Sequence, residues 1–97
     1  MAIQSFSDQA TEAFFVYGRL KKGIPWETIS SVVRRKLDML HYAAELGDLR
    51  SPPGNRLEAL KGDRAGFHSI RINDQWRITF VWTRFGPEQV RVQDYHG

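Results

Sequence analysis

The chain reads as an α+β domain: two N-terminal helices packed on one face of an antiparallel sheet. Three observations predict this. In the first half, Ile29, Val33, Leu37, Leu40 and Ala44 recur at helical spacing and form one apolar stripe. In the second half, three runs alternate apolar and polar residues with the period of a strand. Between the halves stands Ser51-Pro52-Pro53-Gly54-Asn55, a turn too short for an interdomain linker. At 97 residues, positions 1–97 suit a single domain.

The elements follow in order. Ile3 to Phe6 alternate weakly and predict a short edge strand. Ser7 is placed as an N-cap with Asp8 in the first turn of a helix. Ala10, Ala13, Phe14 and Tyr17 share a face of that helix, and Gly18 ends it. A second helix starts at Pro25, with Glu27 in its first turn. Val32, Met39 and Ala43 widen its apolar stripe, Arg34, Arg35, Lys36 and Asp38 lie off the stripe's centre, and Gly47 is the expected residue after its end. Trp26, at the helix start, is expected to staple packing. Strands then run through Ile70-Ile72, Trp76-Trp82 and Val90-Val92, with turns at Asn73-Asp74-Gln75 and Phe85-Gly86-Pro87-Glu88.

Parity gives the central inference. Side chains two apart on a strand share a face. Ile70, Ile72, Trp76, Ile78, Phe80, Trp82, Val90 and Val92 then face the helices. Arg71, Arg77 and Arg91 share the opposite face with Thr79, Gln93 and Tyr95. Like charges this close repel unless an anion lies among them, and the planar guanidinium fork suits phosphate. His68 has inward parity and is expected to be a satisfied core histidine. His41 has no ligand partner four residues on, which argues against a metal site there.

Charge agrees with this placement. The net charge is +3. Residues 1–49 hold six basic and six acidic side chains, whereas residues 50–97 hold eight and five. The excess therefore lies beside the arginine face and favours anionic partners; a merely solubilising surface is the alternative. The Lys21-Lys22-Gly23 loop reads as a solvated turn. There is no cysteine, which excludes disulfides, thiolate metal sites and cysteine nucleophiles and suits a reducing cytoplasm. Residues 1–10 lack a basic and an apolar leader region, and no apolar run is long enough to span a membrane, so a cytoplasmic location is expected.

The chain closes on Asp94-Tyr95-His96-Gly97. An acid, a phenol and an imidazole stand side by side, with reference pKa values from about 4 to about 10. His96 has the reference value nearest neutrality and is assigned to proton transfer. Tyr95 is suited to orienting a phosphate, stacking on a base or activating a hydroxyl. Asp94 has inward parity; it either orients His96 or pairs with an arginine, with a buried salt bridge as the structural alternative.

These residues resemble the HigB toxins of the RelE-like superfamily. The resemblance is carried by Pro52 to Gly66 with its Leu60-Lys61-Gly62, by Ser69-Ile70-Arg71-Ile72-Asn73, by Trp76-Arg77-Ile78-Thr79-Phe80 and by Asp94-Tyr95-His96. It implies the RelE-like toxin fold and a ribosome-dependent, metal-free and cofactor-free endoribonuclease that cuts mRNA in the decoding site. The implied partners are the small ribosomal subunit with its mRNA and a helix-turn-helix, HigA-type antitoxin, which alone brings operator DNA. Carried over by position, Lys61, Arg77, Asp94, Tyr95 and His96 match residues implicated in RNA binding or cleavage, and Arg71, Arg91 and Arg64 are expected to hold phosphates. Glu58 departs from the pattern, since several relatives have histidine there. It is either a general base itself or a brake on cleavage. Two other readings are a gyrase-poisoning member of the superfamily and a non-catalytic nucleic-acid binder.

Overall fold

The computed structural model describes residues 1–95. Helix α1 spans Gln9–Tyr17 and α2 spans Ser30–Tyr42, preceded by a 3₁₀ turn at Glu27–Ile29. Four strands follow: β1 Glu58–Ala59, β2 His68–Arg71, β3 Trp76–Thr83 and β4 Gly86–Asp94. They form one antiparallel sheet in the order β1-β2-β3-β4.

The N-cap of α1 is Asp8, not Ser7: its carboxylate accepts the N–H of Thr11, satisfying a donor the helix itself cannot. Gly18 ends the helix with φ 68°, as its sequence position predicts. Tyr17, expected in the core, is exposed in the last helical position. Thr11 takes the buried place instead, and its hydroxyl accepts the N–H of Val92 on β4. Phe14 packs edge-on against Trp26, ring centroids 5.3 Å apart, so Trp26 does staple the helices.

The stripe of α2 behaves as predicted at Val33, Leu37 and Leu40, all fully buried. The helix stops earlier than Gly47 would suggest, because Ala43 is extended and a separate 3₁₀ turn occupies Leu46–Arg50. Lys36 also departs from expectation: it is buried, its Nζ donating to Oδ1 of Asn55.

The apolar strand face and both helices share one buried cluster that includes Phe14, Leu37, Leu40, Ile70, Ile78, Phe80 and Val90. In the β2–β3 turn, Oδ1 of Asn73 accepts the N–H groups of Gln75 and Trp76, each at 2.8 Å. The β3–β4 turn is tighter than expected, only Arg84 and Phe85, and β4 already begins at Gly86. A Cβ at Gly86 would collide with the Ala2 carbonyl, which is why glycine stands where the N-terminal segment crosses. That segment runs along the edge of β4, bridging Phe6 to Val90 in parallel, so the weak strand signal at Ile3–Phe6 marks an edge cover rather than a full strand. Its N–H at Ile3 donates to Nδ1 of His41, giving that histidine a structural task. Opposite Phe80, Gln89 and Val90 form a bulge, with Gln89 at φ 54°.

His68 is not the satisfied core histidine its parity suggested. Its ring stacks on Phe80, but among the described residues Nδ1 is buried without a hydrogen-bond partner. No helix among the described residues is long and apolar enough to cross a membrane.

Leu37→Ala tests the helix–sheet cluster. It should destabilise the fold by about 2–5 kcal/mol, the range for deleting a fully buried leucine side chain. Urea denaturation followed by circular dichroism checks this; a change near zero would mean that α2 does not pack where its stripe places it.

Candidate active site

The outer sheet face is less open than parity alone implies. Ser69, Arg77 and Thr79 are buried there: from the β1–β2 connection the Arg64 side chain reaches over Thr79 and Gln93, and the Arg56 carbonyl, just before the edge strand β1, meets Arg77. Arg77 is tied both to β2 and to the residue that leads into β1. Its Nε donates to Oγ of Ser69 at 2.8 Å, and its Nη2 donates to the carbonyl of Arg56 at 2.7 Å. The Ser69 carbonyl is a second, longer acceptor for Nη2 at 3.4 Å, and all three acceptors are neutral. Among the described residues no carboxylate forms a salt bridge with Arg77. Burial lowers its pKa below the ordinary guanidinium value; Glu58 and Tyr95 act the other way, and Arg71 and Arg56 lower it further. The guanidinium lies 5.3 Å from the centroid of the Tyr95 ring.

Two concavities meet at this pair. Arg56, Glu58, Arg71, Asn73, Asp74, Arg77 and Tyr95 line the first, a cationic hollow in which three guanidinium groups meet two carboxylates. Leu60, Arg64, Ser69, Arg77, Thr79, Gln93, Asp94 and Tyr95 line the second, which is the more apolar. Strand register explains the convergence, since Arg71 pairs directly with Arg77, Arg77 with Gln93, and Glu58 with Ser69. Arg71 is held by Asp74, whose side chain is 97% exposed, so the ion pair is weak and easily exchanged for a phosphate. Arg64 donates to Oε1 of Gln93 at 2.9 Å and to Oγ1 of Thr79 at 3.3 Å. Oδ2 of Asp94 accepts from the Gln75 amide at 3.1 Å, and the N–H of Tyr95 donates to the Gln75 carbonyl, so the end of β4 is tied to the β2–β3 turn.

The structure thus brings together Glu58, Arg64, Arg71, Arg77, Asp94 and Tyr95. It does not bring in Arg91, which lines a separate concavity with Asp8, Trp26 and Trp76. Lys61 is exposed at the start of the Gly62–Arg64 turn and lines neither hollow. His96 lies outside the described residues. Sequence reasoning missed Ser69 and Arg56. Ser69 had a signal, its parity with Arg71 and Arg77. The role of Arg56 is played by its backbone carbonyl, which no side-chain pattern announces.

A family model described as the RelE-like toxin HigB of type II toxin–antitoxin systems matches residues 4–96. The chain belongs to the HigB-like toxin family. It is 42% identical over 82 residues to Toxin HigB-1 of Vibrio cholerae, covering 84% of each chain. It is 32% identical over 94 residues to the Endoribonuclease HigB of Proteus vulgaris, covering 97% of this chain and 99% of the relative. Among solved structures, the YoeB/ParE toxin from Agrobacterium tumefaciens shares the fold, with a TM-score of 0.51, 19% identity, and coverage of 96% and 99%. In this HigB-like toxin the matched region contains both hollows.

Glu58→Gln tests the electrostatics of the cationic hollow. A short RNA oligonucleotide should bind the variant more tightly at low salt, and the advantage should vanish near 1 M salt, where the Debye length is about 3 Å. Fluorescence anisotropy across a salt series measures this. Equal affinity at every salt concentration would place the carboxylate away from the RNA.

Proposed function

We propose that this toxin is a ribosome-dependent endoribonuclease that cleaves mRNA in the decoding site and thereby stops translation. The observation that carries the reading is the buried Arg77 guanidinium, held by neutral acceptors between two hollows and beside the C-terminal Tyr95. Among the described residues no carboxylate bonds to this guanidinium, and such a positive charge is suited to the charge that develops on a phosphate under attack. The Proteus vulgaris relative, whose name describes an endoribonuclease, supports the reaction class.

The reaction needs few groups. The substrate's 2′-hydroxyl loses its proton to a base, and its oxygen attacks phosphorus. The bond to the 5′-oxygen breaks, and an acid protonates that oxygen. The products are a 2′,3′-cyclic phosphate and a 5′-hydroxyl. Arg77 stabilises the phosphorane, and Arg71 holds a neighbouring phosphate. Lys61, Arg64 and Arg91 extend the cationic surface along the RNA. His96 transfers protons, Asp94 orients the chain end, and Tyr95 positions the reacting nucleotide. Glu58 sits in the cationic hollow, where a carboxylate can accept the 2′-hydroxyl proton. The ribosome supplies the remaining order by holding the codon in place. A helix-turn-helix antitoxin restrains the activity and connects it to operator DNA.

Cleavage should therefore be fast on programmed ribosomes and slow on the same mRNA alone; equal rates would remove the ribosome from the mechanism. A second test addresses the chain end. His96→Ala should reduce single-turnover cleavage by about 10²–10⁴-fold, the usual contribution of general acid–base catalysis. The fold, followed by circular dichroism, should remain intact. A folded variant cutting at the parent rate would move proton transfer to Glu58. Tyr95→Phe separates the roles of that side chain, because stacking survives the loss of the hydroxyl and contact with the reacting atoms does not.

A further inference from the structure

We propose that the buried Lys36–Asn55 pair is a positioning device for the guanidinium of Arg77. The inference rests on the ribonuclease reading, in which Arg77 meets the scissile phosphate. It begins from an expense in the fold. Lys36 is 6% exposed on a helix whose neighbouring Arg34 and Arg35 are solvated. Burial, with Arg35 and Arg71 nearby, lowers its pKa. An apolar side chain of similar length would fill the same space without desolvating a charge, so stability alone does not account for a lysine there.

What Lys36 holds explains it better. Its Nζ donates to Oδ1 of Asn55, itself fully buried. The Asn55 amide donates onward to the carbonyls of Leu49 at 3.1 Å and Ser51 at 3.3 Å. One side chain thus gathers the segment from Leu49 to Asn55 and fastens it to α2. The next residue is Arg56, which takes the left-handed conformation with φ 46° and ψ 56°. Its N–H donates to Pro53, and its carbonyl accepts from Nη2 of Arg77.

Arg77 therefore has two kinds of anchor. Ser69 belongs to β2 and is fixed by the sheet. Arg56 belongs to a loop whose place depends on Asn55, and through it on Lys36. If that clasp is released, Nε keeps the Ser69 hydroxyl, while Nη2 loses its 2.7 Å acceptor and keeps only the longer bond to the Ser69 carbonyl at 3.4 Å. The fork can then tilt about its Ser69 contacts, and a misplacement of about 1 Å can cost on the order of 10²-fold in rate. Lys36 and Asn55 are positioning residues, because they act on the reaction through Arg56 and Arg77.

Lys36→Met keeps the apolar stem and removes the donor, while Lys36→Arg keeps a donor. Two readouts are needed: ribosome cleavage, and the Nε–Hε resonance of Arg77, assigned by its disappearance in Arg77→Lys. Lys36→Met should lower the single-turnover rate about 10–100-fold. The half-saturating ribosome concentration should stay within about twofold, since contacts made only in the transition state are the ones lost. The Arg77 resonance should shift and broaden, and Lys36→Arg should restore both rate and resonance. An unmoved Arg77 resonance, or a loss of thermal stability alone, would overturn the proposal. If Lys36→Met fails to fold, Asn55→Asp is read by the same criteria, because it keeps an acceptor for Lys36 and loses both amide donations. If the parent protein cuts no ribosome-bound mRNA, the ribonuclease reading fails; the Arg77 resonance still decides the positioning claim.

Discussion

A single buried cation organises the outer half of this molecule. The Arg77 guanidinium is buried on the outer sheet face, with the Ser69 hydroxyl and the backbone carbonyls of Arg56 and Ser69 for partners. Burying a charge is costly, and proteins usually offset the cost with an opposite charge. Here neutral acceptors hold the group while leaving its positive charge for a ligand. The outer face, the Arg56 carbonyl and the end of β4 each supply one side of that arrangement.

The rest of the fold serves to keep those three pieces in register. The helices bury the inner sheet face and so fix which residues point outward. The bulge opposite Phe80 lets β4 stay paired on both sides of an extra residue, so that Gln93 faces Arg77 and Asp94 faces Trp76. The N-terminal segment covers the outer edge of β4. Gln75 then ties the β2–β3 turn to Asp94 and Tyr95, and Tyr95 lies beside Arg77.

Much of this was legible in the sequence, for identifiable reasons. Period-2 alternation placed Ile70, Ile78, Phe80, Val90 and Val92 in the core, and all are buried, because an antiparallel strand with one covered face can satisfy that pattern in only one way. The stripe of Val33, Leu37 and Leu40 was equally secure. Other features depend on tertiary partners. Asp8 rather than Ser7 caps α1, a choice between adjacent good caps. Lys36 is buried because Asn55, 19 residues away, offers an acceptor. Parity put Arg71, Arg77 and Tyr95 on one face, but it could not say that the Arg64 side chain and the Arg56 carbonyl would cover part of it. Arg91 shares their parity and still lines a different hollow, with Asp8 and Trp26. Lys61 was found by resemblance alone, and its side chain lines neither hollow.

The central claim is that the hollow beside Arg77 holds the phosphate to be cut. The most direct measurement is an electron cryomicroscopy structure of the toxin on a ribosome whose mRNA carries a 2′-O-methyl group at the cleaved nucleotide, which removes the attacking hydroxyl. The account predicts a phosphate oxygen within hydrogen-bond distance, about 2.7–3.2 Å, of the Arg77 guanidinium. The adjoining nucleotide should lie against Tyr95. An mRNA backbone that passes over Arg91 and Trp26 while Arg77 stays covered would contradict it.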